Sequence, residues 1–235
     1  MPLSIFTHIF CVKKMNNKII FLIVCATLWV ACSESGTDAK PFDASVVCPE
    51  NARGTFVDER DGQVYKYTTI GDQVWMAQNL NYEFDGASIY NPLRQEMTTA
   101  RSTCLYEGDD CAEKGRVYGW VSAYNACPAG WHLPSREEWN RLIDNMGGRE
   151  EAGVRLKSRE GWLPLNAGES SNGSDDCGFD MVSAKNEVTS RDGFFVYLWT
   201  TSESCLNLSE SNSDAVVEDC SHFSTWKGSV RCIRD

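Results

Sequence analysis

The clearest pattern of apolar and polar positions in the chain lies in residues 127–148, CPAGWHLPSREEWNRLIDNMGG. Ser135 stands where a helix N-cap belongs and Glu138 follows three residues later, so the segment predicts a capping box. Gly147 and Gly148 are expected to end the helix, because glycine adopts the left-handed conformation there without steric cost. Apolar residues recur at i, i+3, i+4 and i+7, which predicts one buried helix face formed by Trp139, Leu142, Ile143 and Met146.

Segments rich in β-branched and aromatic residues predict strands on both sides of this helix. Residues 54–82 contain two such segments, each preceded by a turn signal, Asp61-Gly62 and Gly71-Asp72. The continuous apolar run at 194–201, FFVYLWTT, predicts a strand covered on both faces. The terminal segment GSVRCIRD predicts a last strand that closes the sheet.

Long polar segments separate these predicted elements. Residues 83–114, 158–193 and 202–227 are rich in loop-forming residues, so mostly irregular structure is expected in all of them. A short strand is expected within the last segment, at residues 215–217.

Shorter elements are predicted directly before and after the capped helix. Residues 115–126 are expected to form a short strand followed by one or two helical turns. Residues 151–158, EAGVRLKS, predict a short second helix with Val154 and Leu156 facing inward.

The first 31 residues have the pattern of an export signal. Basic residues precede the apolar run 19–30, which is shorter than the roughly 20 residues that span a bilayer. Cys32 follows a small residue, and the segment therefore resembles a bacterial lipoprotein signal with Cys32 as the lipidated residue. Trp29 replaces the leucine usual at its position, and an ordinary cleaved signal is the alternative. Met15 is a better translation start than Met1, because it directly opens the signal.

This pattern divides the chain into a signal peptide at 1–31, a lipidated cysteine with a flexible tether at 32–53, and one domain at 54–235. The expected location is the cell envelope, at the outer membrane or the cell surface, with a membrane contact through the lipid. The tether is expected to be flexible because it is polar and contains small residues and prolines.

The net charge of −11 becomes more negative by three without residues 1–31, which hold three lysines and no acids. Such an acidic chain argues against nucleic-acid binding, which needs clustered lysine and arginine. No cofactor is expected.

Eight cysteines follow Cys32, an even number that indicates disulfides in an exported domain. Zinc is the competing interpretation, but the sequence has no CxxC, and His132 and His222 are the only histidines after the signal. No metal site is therefore expected from the cysteines. Cys104 and Cys111 bracket a short acidic turn and are expected to pair; Cys205 and Cys220 flank one loop and are the next favoured pair. The pairing of Cys48 and Cys177 stays open.

One acidic segment, NGSDDCGFD, has the appearance of a calcium loop because Asn172, Ser174 and Asp176 stand at alternate positions. An EF-hand needs glycine at position six and glutamate at position twelve, where this chain has Cys177 and Ser183. The EF-hand is excluded, and another kind of calcium site stays an alternative.

Five segments together resemble a known family, the Fibrobacter succinogenes major paralogous domain, in sequence and order over residues 54–235. They are DERDGQVYKYTTIGDQVWMAQNLNY, KGRVYGWVSAYNACPAGWHLPSREEW, NGSDDCGFD, LWTTSE and GSVRCIRD. The resemblance implies an exported or lipid-anchored envelope protein with no established activity.

HLPSREEW and GSVRC are also similar to segments of the C-type-lectin-like fold, which includes formylglycine-generating-enzyme-like domains. This similarity implies an α+β fold with a small antiparallel sheet, two short helices and long disulfide-stapled loops. It also implies that the terminal strands meet in one sheet, so that Cys127 pairs with Cys232. Loss of that disulfide is expected to cost the most stability. The calcium-dependent sugar motifs of lectins and the enzyme's reactive cysteine segment have no counterpart here.

No catalytic set is found. His132 lies between two predicted strand residues and is interpreted as structural, and Glu138 already has a capping role. Trp162, His222 and Trp226 lie in loops and are the candidate ligand-binding residues, since aromatic side chains on a polar rim stack on sugars or pack on proteins. The expected function is a non-enzymatic module that binds a glycan or an envelope protein. The alternatives are an enzyme related to the formylglycine-generating fold and a purely structural envelope protein.

Overall fold

A computed structural model describes residues 41–84, 86–105, 110–164, 166–184, 193–210, 213–221 and 227–235. The expected signal peptide and Cys32 lie outside the described residues, as do residues 107–109 of the EGDD turn, His222 and Trp226. Within the part of the chain that is described, no helix has the length and apolar character needed to cross a membrane.

The described fold is α+β and contains short strands and short helices. Its strands are β1 (Arg53–Val57), β2 (Val64–Ile70), β3 (Gln73–Met76), β4 (Ser88–Asn91), β5 (Glu96–Thr99), β6 (Ser102–Thr103), β7 (Val117–Tyr118), β8 (Trp131–His132), β9 (Phe195–Trp199), β10 (Ser204–Ser209), β11 (Val216–Asp219) and β12 (Ile233–Arg234). Its α-helices are α1 (Ala44–Val47), α2 (Asp110–Lys114), α3 (Trp120–Tyr124), α4 (Arg136–Asn145) and α5 (Arg149–Leu156), and a 3₁₀ turn covers Glu50–Ala52. The described residues thus contain more helices than the two that were expected.

The main sheet is antiparallel, with strand order β1-β2-β3-β12-β8. The strands predicted in residues 54–82 form its first half, and the turns at Gly62 and Gly71 have the positive φ that their glycines permit. Ile233 of β12 pairs with Trp75 of β3 on one side and with His132 of β8 on the other. The last strand therefore joins the amino-terminal strands to the segment that leads into α4, as the sequence predicts.

A second antiparallel sheet has the order β11-β10-β9. The expectation of a loop at 202–227 is wrong for β10, a strand in which Leu206 and Leu208 are fully buried. The polar residues Ser204 and Asn207 interrupt its apolar pattern, so the sequence did not indicate a strand there. In β9, Val196, Leu198 and Trp199 are buried whereas Phe195 and Tyr197 are half-buried, so only the face of Val196 and Leu198 is fully covered. That corrects the predicted coverage of both faces.

Residues 83–114 also contain regular structure that the sequence analysis missed. β4 and β5 form a hairpin with Tyr90 opposite Met97, and β6 pairs with β7. Each pair has only two strands, and both polar and apolar residues occupy their exposed positions. Neither pair therefore shows a strong alternation of apolar and polar residues.

The capped helix α4 agrees with its prediction in detail. Ser135 Oγ accepts from Glu138 N, and Glu138 Oε2 accepts from Ser135 N at 2.7 Å, which completes the capping box. The apolar face is fully buried except for slight exposure of Ile143, and the helix is followed by glycines at positive φ.

Helix α5 faces the core with different residues from those predicted. Leu156 is buried, but Val154 is exposed, and Ala152 and Gly153 take the inward positions. At Gly153 a Cβ atom would lie 2.1 Å from the carbonyl oxygen of Ser213. The small residues therefore let another loop approach the helix, and this approach sets which face is inward.

The cysteines form four disulfides, with Cα–Cα distances between 5.4 and 5.8 Å. Three pairs are those expected: Cys104–Cys111 and Cys205–Cys220 from their positions in the sequence, and Cys127–Cys232 from the lectin-like similarity. The fourth, Cys48–Cys177, joins the two cysteines that the sequence left open. It closes the longest loop, a separation of 129 residues against 105 for Cys127–Cys232.

The segment 41–53 is folded, which corrects the expectation that the whole of 32–53 is a flexible tether. Asp43 caps α1 by accepting from Ser45 N at 3.0 Å, and Cys48 is 3% exposed. Phe42 and Val47 pack against the core that surrounds Trp139. Apolar contact and the Cys48–Cys177 disulfide together hold this segment on the domain.

Candidate functional site

Arg231 in the terminal segment is the most deeply buried cation of the described chain, with 1% exposure. Its Nε donates to Asn79 Oδ1 at 2.9 Å, its Nη2 donates to Asp180 O at 2.8 Å, and its Nη1 donates to Phe179 O. The guanidinium carbon also lies 4.6 Å from the centre of the Phe179 ring. We call Arg231, Asn79, Phe179 and Asp180 the Arg231 cluster.

Burial lowers the pKa of Arg231 to about 10, against the opposing effect of Asp180 and Asp175. The side chain therefore stays charged at neutral pH, and its buried donors need the oxygens that surround them. Those oxygens come from the MAQNLNY and NGSDDCGFD segments, while the arginine comes from GSVRCIRD. Three of the segments that carry the family resemblance thus meet at a structural cluster.

The same contacts account for the acidic loop that was considered for calcium. Asp175 Oδ1 accepts from Asp180 N at 2.8 Å, and Asp176 Oδ2 lies 3.5 Å from Arg155 Nε. The protein itself supplies the hydrogen-bond donors and positive charge around this loop. Among the described residues, one group has the spacing of metal ligands, and it consists of Cys205, Glu218 and Cys220. Its two sulfur atoms are bonded to each other in a disulfide, so they are not available as thiolate ligands.

A surface cavity of about 250 Å³ lies between the β4–β5 hairpin, α3 and the turn that joins β9 to β10. We call it the hairpin groove. Its lining includes Asn91, Leu93, Arg94, Trp120, Val121, Trp199 and Glu203.

The two tryptophans of the groove are fixed by hydrogen bonds made on the protein side. Trp120 Nε1 donates to Thr200 O at 2.9 Å, and Trp199 Nε1 donates to Tyr118 O at 2.7 Å. The ring of Tyr124 lies 5.4 Å from that of Trp120. Because its indole N–H group is used, Trp120 offers the groove carbon surface, whereas Trp199 is 3% exposed and packs in the core.

Glu203 lines the groove from a turn that is held in an unusual conformation. It has φ +55°, a region that non-glycine residues rarely adopt. Its carbonyl accepts from Cys220 N at 3.1 Å, and inside the turn Thr200 Oγ1 lies 2.7 Å from Ser204 Oγ. Strained backbone of this kind persists where surrounding contacts determine it, and it clusters at functional sites.

The opposite wall carries Asn91 and Arg94 of the hairpin. Asn91 is 7% exposed, and its Oδ1 accepts from Leu93 N at 3.0 Å and Arg94 N at 3.2 Å. These two contacts assign the amide orientation, and its Nδ2 has no acceptor in the described part of the protein. The Arg94 side chain is 76% exposed and its contact with Glu96, at 3.7 Å, is long.

A second cavity of about 270 Å³ is lined by Tyr124, Trp131, His132 and Thr201. His132 Nδ1 lies 2.6 Å from Asp235 Oδ1, and its Nε2 lies 2.9 Å from Glu138 Oε1. Burial works to lower the pKa of His132, but the hydrogen bonds to the two carboxylates outweigh it and raise the pKa. Burial likewise works to raise the pKa of Glu138, but its bonds to Ser135 and His132 outweigh this and lower it. Both ring nitrogens are thus engaged, which is a structural role for His132.

Trp162, a candidate ligand-binding residue from the sequence, is 3% exposed and belongs to the core. Its Nε1 donates to Ser158 Oγ at 3.1 Å and to Met181 O at 3.0 Å, and Lys157 Nζ lies 4.8 Å from its ring centre. Its expected place on a polar rim is therefore wrong, because the loop that carries it folds inward. The other two candidates, His222 and Trp226, lie outside the described residues.

The sequence analysis missed Asn91, Arg94, Trp120 and Glu203 as a group. They come from three separate segments, and the unusual φ of Glu203 has no sequence signal. Trp120 is 8% exposed, which leaves part of its indole on the groove.

No curated protein and no solved structure matches this chain significantly. A family model, that of the Fibrobacter succinogenes major domain, matches residues 68–234, more than two thirds of the chain. The matched range contains every residue of the Arg231 cluster and of the hairpin groove, and it confirms the family expected from the sequence. The chain belongs to the Fibrobacter succinogenes major domain family.

Proposed function

We propose that this protein is an exported, lipid-anchored envelope protein whose domain binds a ligand, without chemical turnover, through the hairpin groove. The observation that carries the proposal is the groove itself, where Asn91, Arg94 and Glu203 present polar groups around the carbon surface of Trp120. Clefts that combine apolar walls with a few polar groups are the usual form of a ligand site.

The location belongs to the same proposal. A lipid on Cys32, after removal of residues 1–31, would hold the domain at the outer membrane or cell surface. The four disulfides support an oxidising compartment, because disulfides persist in exported proteins. We further propose a C-type-lectin-like architecture, supported by the pairing of the terminal strand β12 with β8 in one sheet.

An enzyme related to the formylglycine-generating fold is less well supported. That chemistry requires reactive cysteines, and all eight cysteines after residue 41 are in disulfides. A purely structural envelope protein is the other alternative, and it would bind no ligand at the groove.

The test is a binding screen of the exported, oxidised chain against an array of glycans and envelope proteins. The groove variant is the double substitution Arg94→Ala with Glu203→Ala, and the matched control is Arg141→Ala with Asp72→Ala, another exposed arginine–acid pair. We expect a ligand whose signal falls about ten-fold or more in the groove variant and is unchanged in the control. Absence of any ligand, or equal signals from the two variants, would contradict the proposed function.

A further inference from the structure

The hairpin groove has an uncommon balance of charge for so acidic a protein. The chain has a net charge of −11, yet the charged residues of the groove lining are one arginine and one glutamate, Arg94 and Glu203. Arg94 and Glu203 have opposite charges, so the lining itself presents no net charge to a ligand. The lining therefore favours a ligand without net charge.

The polar atoms of the groove include both donors and an acceptor. Asn91 is more than nine-tenths buried, and its Nδ2 is a donor that no described residue uses. A ligand oxygen at this place would give this donor a hydrogen bond that no described protein group supplies. Glu203 supplies the complementary acceptor, held by a turn at φ +55°.

The apolar part of the groove is aromatic and already oriented. The indole of Trp120 is held by its N–H group on Thr200 O, so a ligand meets its ring carbon atoms, and Trp199 packs behind it in the core. The cavity of about 250 Å³ lies below the roughly 300–1,000 Å³ of sites for drug-sized molecules. A single small ring with one apolar face and several hydroxyl groups matches this combination.

We propose that the hairpin groove binds one neutral sugar ring of a glycan, whose hydroxyl oxygens accept from Asn91 Nδ2 and Arg94 and whose hydroxyl protons donate to Glu203. The proposal rests on the proposed function, since it names the ligand class of the same site. A neutral pyranose supplies both donors and acceptors next to a carbon face, which neither an aliphatic side chain nor a phosphate does.

The experiment uses the exported, oxidised chain and the methyl glycosides of glucose, galactose and mannose, with methyl glucuronide and a short neutral peptide as competing probes. Binding is followed by saturation-transfer NMR and tryptophan fluorescence. The decisive variant is Asn91→Asp, which keeps the Oδ1 that accepts from Leu93 N and Arg94 N but replaces the donor with an acceptor. Its control is Asn140→Asp, which adds the same charge at an exposed position of α4.

We expect at least one neutral glycoside to bind, Asn91→Asp to weaken that binding about ten-fold, and Asn140→Asp to leave it unchanged. Stronger binding of the glucuronide or the peptide would overturn the sugar assignment, and so would equal affinity of Asn91→Asp and the unsubstituted chain. A ligand that needs Arg94 and Glu203 but is not a sugar would leave the proposed function standing. Absence of any groove-dependent ligand would remove both.

Discussion

Arg231 and Arg94 carry the same charge but stand in opposite situations. Arg231 is buried with every nitrogen bonded to an oxygen, whereas the Arg94 side chain is 76% exposed and has only a long contact with Glu96. The donors of Arg231 form hydrogen bonds that join three segments of the chain. Those of Arg94 remain available to a ligand, beside a glutamate and an amide that are also available.

The two regions also differ in where their residues lie along the chain. The segments that carry the resemblance supply the whole buried cluster, and their residue types there are explained by burial and hydrogen bonding. The groove takes Trp120 and Glu203 from those segments but Asn91 and Arg94 from a hairpin outside them. The family segments therefore supply the scaffold and part of the groove, and the hairpin supplies its other polar groups.

The largest expected effect comes from the disulfides that fasten the two regions. Cys48–Cys177 and Cys127–Cys232 end beside the Arg231 cluster and close separations of 129 and 105 residues, whereas Cys205–Cys220, at the groove, closes 15. The chain-entropy model gives about 4.9, 4.8 and 3.1 kcal/mol respectively. The expectation that loss of Cys127–Cys232 costs the most is therefore extended to Cys48–Cys177, because the two long loops have nearly equal values.

Denaturant unfolding of the three paired cysteine-to-alanine variants measures this order. Cys104–Cys111, with a separation of 7, is the matched control and should cost the least. If loss of Cys205–Cys220 lowered the free energy of unfolding as much as loss of either long disulfide, the predicted difference between the Arg231 cluster and the hairpin groove would be wrong.

The next effect concerns the two arginines directly. Arg231→Met keeps the volume but leaves the Asn79 amide oxygen and two carbonyl oxygens without donors, and we expect a loss of about 3–4 kcal/mol. Arg94→Met removes an exposed charge and should change the free energy of unfolding by less than about 0.5 kcal/mol. Urea unfolding with intact disulfides measures both values, and similar losses for the two variants would contradict the comparison.

Glu203→Gly is expected to act in the opposite direction, raising stability by up to about 1 kcal/mol, because glycine adopts φ +55° without steric cost. Glu59→Gly, at an exposed turn without positive φ, is the control and should lower stability. Thermal unfolding measures both. A stability loss in Glu203→Gly would mean that the turn carries no strain.

The smallest effect is the pH dependence that His132 confers. Its folded pKa is raised, so its contribution is fully present below the usual value of 6.5 and is lost as the pH rises through the folded pKa. The pKa of Glu138 is lowered, so its contribution is present above 4.5 and is lost as the pH falls through its folded pKa. The pair therefore stabilises the fold most between pH 4.5 and 6.5.

His132→Gln should lower the melting temperature at pH 5.5 and have a smaller effect at pH 9. The side chain is 40% exposed, so solvent screening limits the difference to less than about 1 kcal/mol. Arg141→Gln is the control, and its effect should not vary over this range. A constant effect of His132→Gln at both pH values would exclude ionisation as the cause.

Local signals decided what the sequence could predict. The helix α4 follows from a capping box and from apolar spacing, both of which lie within a few residues, and the first strands follow from turn glycines. The strand β10 was missed because Ser204 and Asn207 occupy strand positions where the pattern expects apolar residues. The inward face of α5 was mistaken because a distant loop, around Ser213, packs on Gly153.

The candidate site depends on distant contacts even more strongly. Asn91, Trp120 and Glu203 are separated along the chain, and neither the unused amide of Asn91 nor the φ of Glu203 is visible in the residue order. Trp162 was assigned to a rim from the polar residues around it, whereas its indole N–H is bonded inside the core. Neighbours in sequence were a poor guide to neighbours in space at these positions.

The Cys48–Cys177 disulfide also determines how the domain would carry mechanical load. A pull between the chain ahead of residue 48 and the chain beyond residue 177 passes through the sulfur atoms, so residues 49–176 are not stretched. Asn91, Arg94 and Trp120 of the groove lie inside this closed loop. A ligand bound to them would pull on both arms of the loop, so the strands β1 to β3 would share its load with the arm that leads to Cys177.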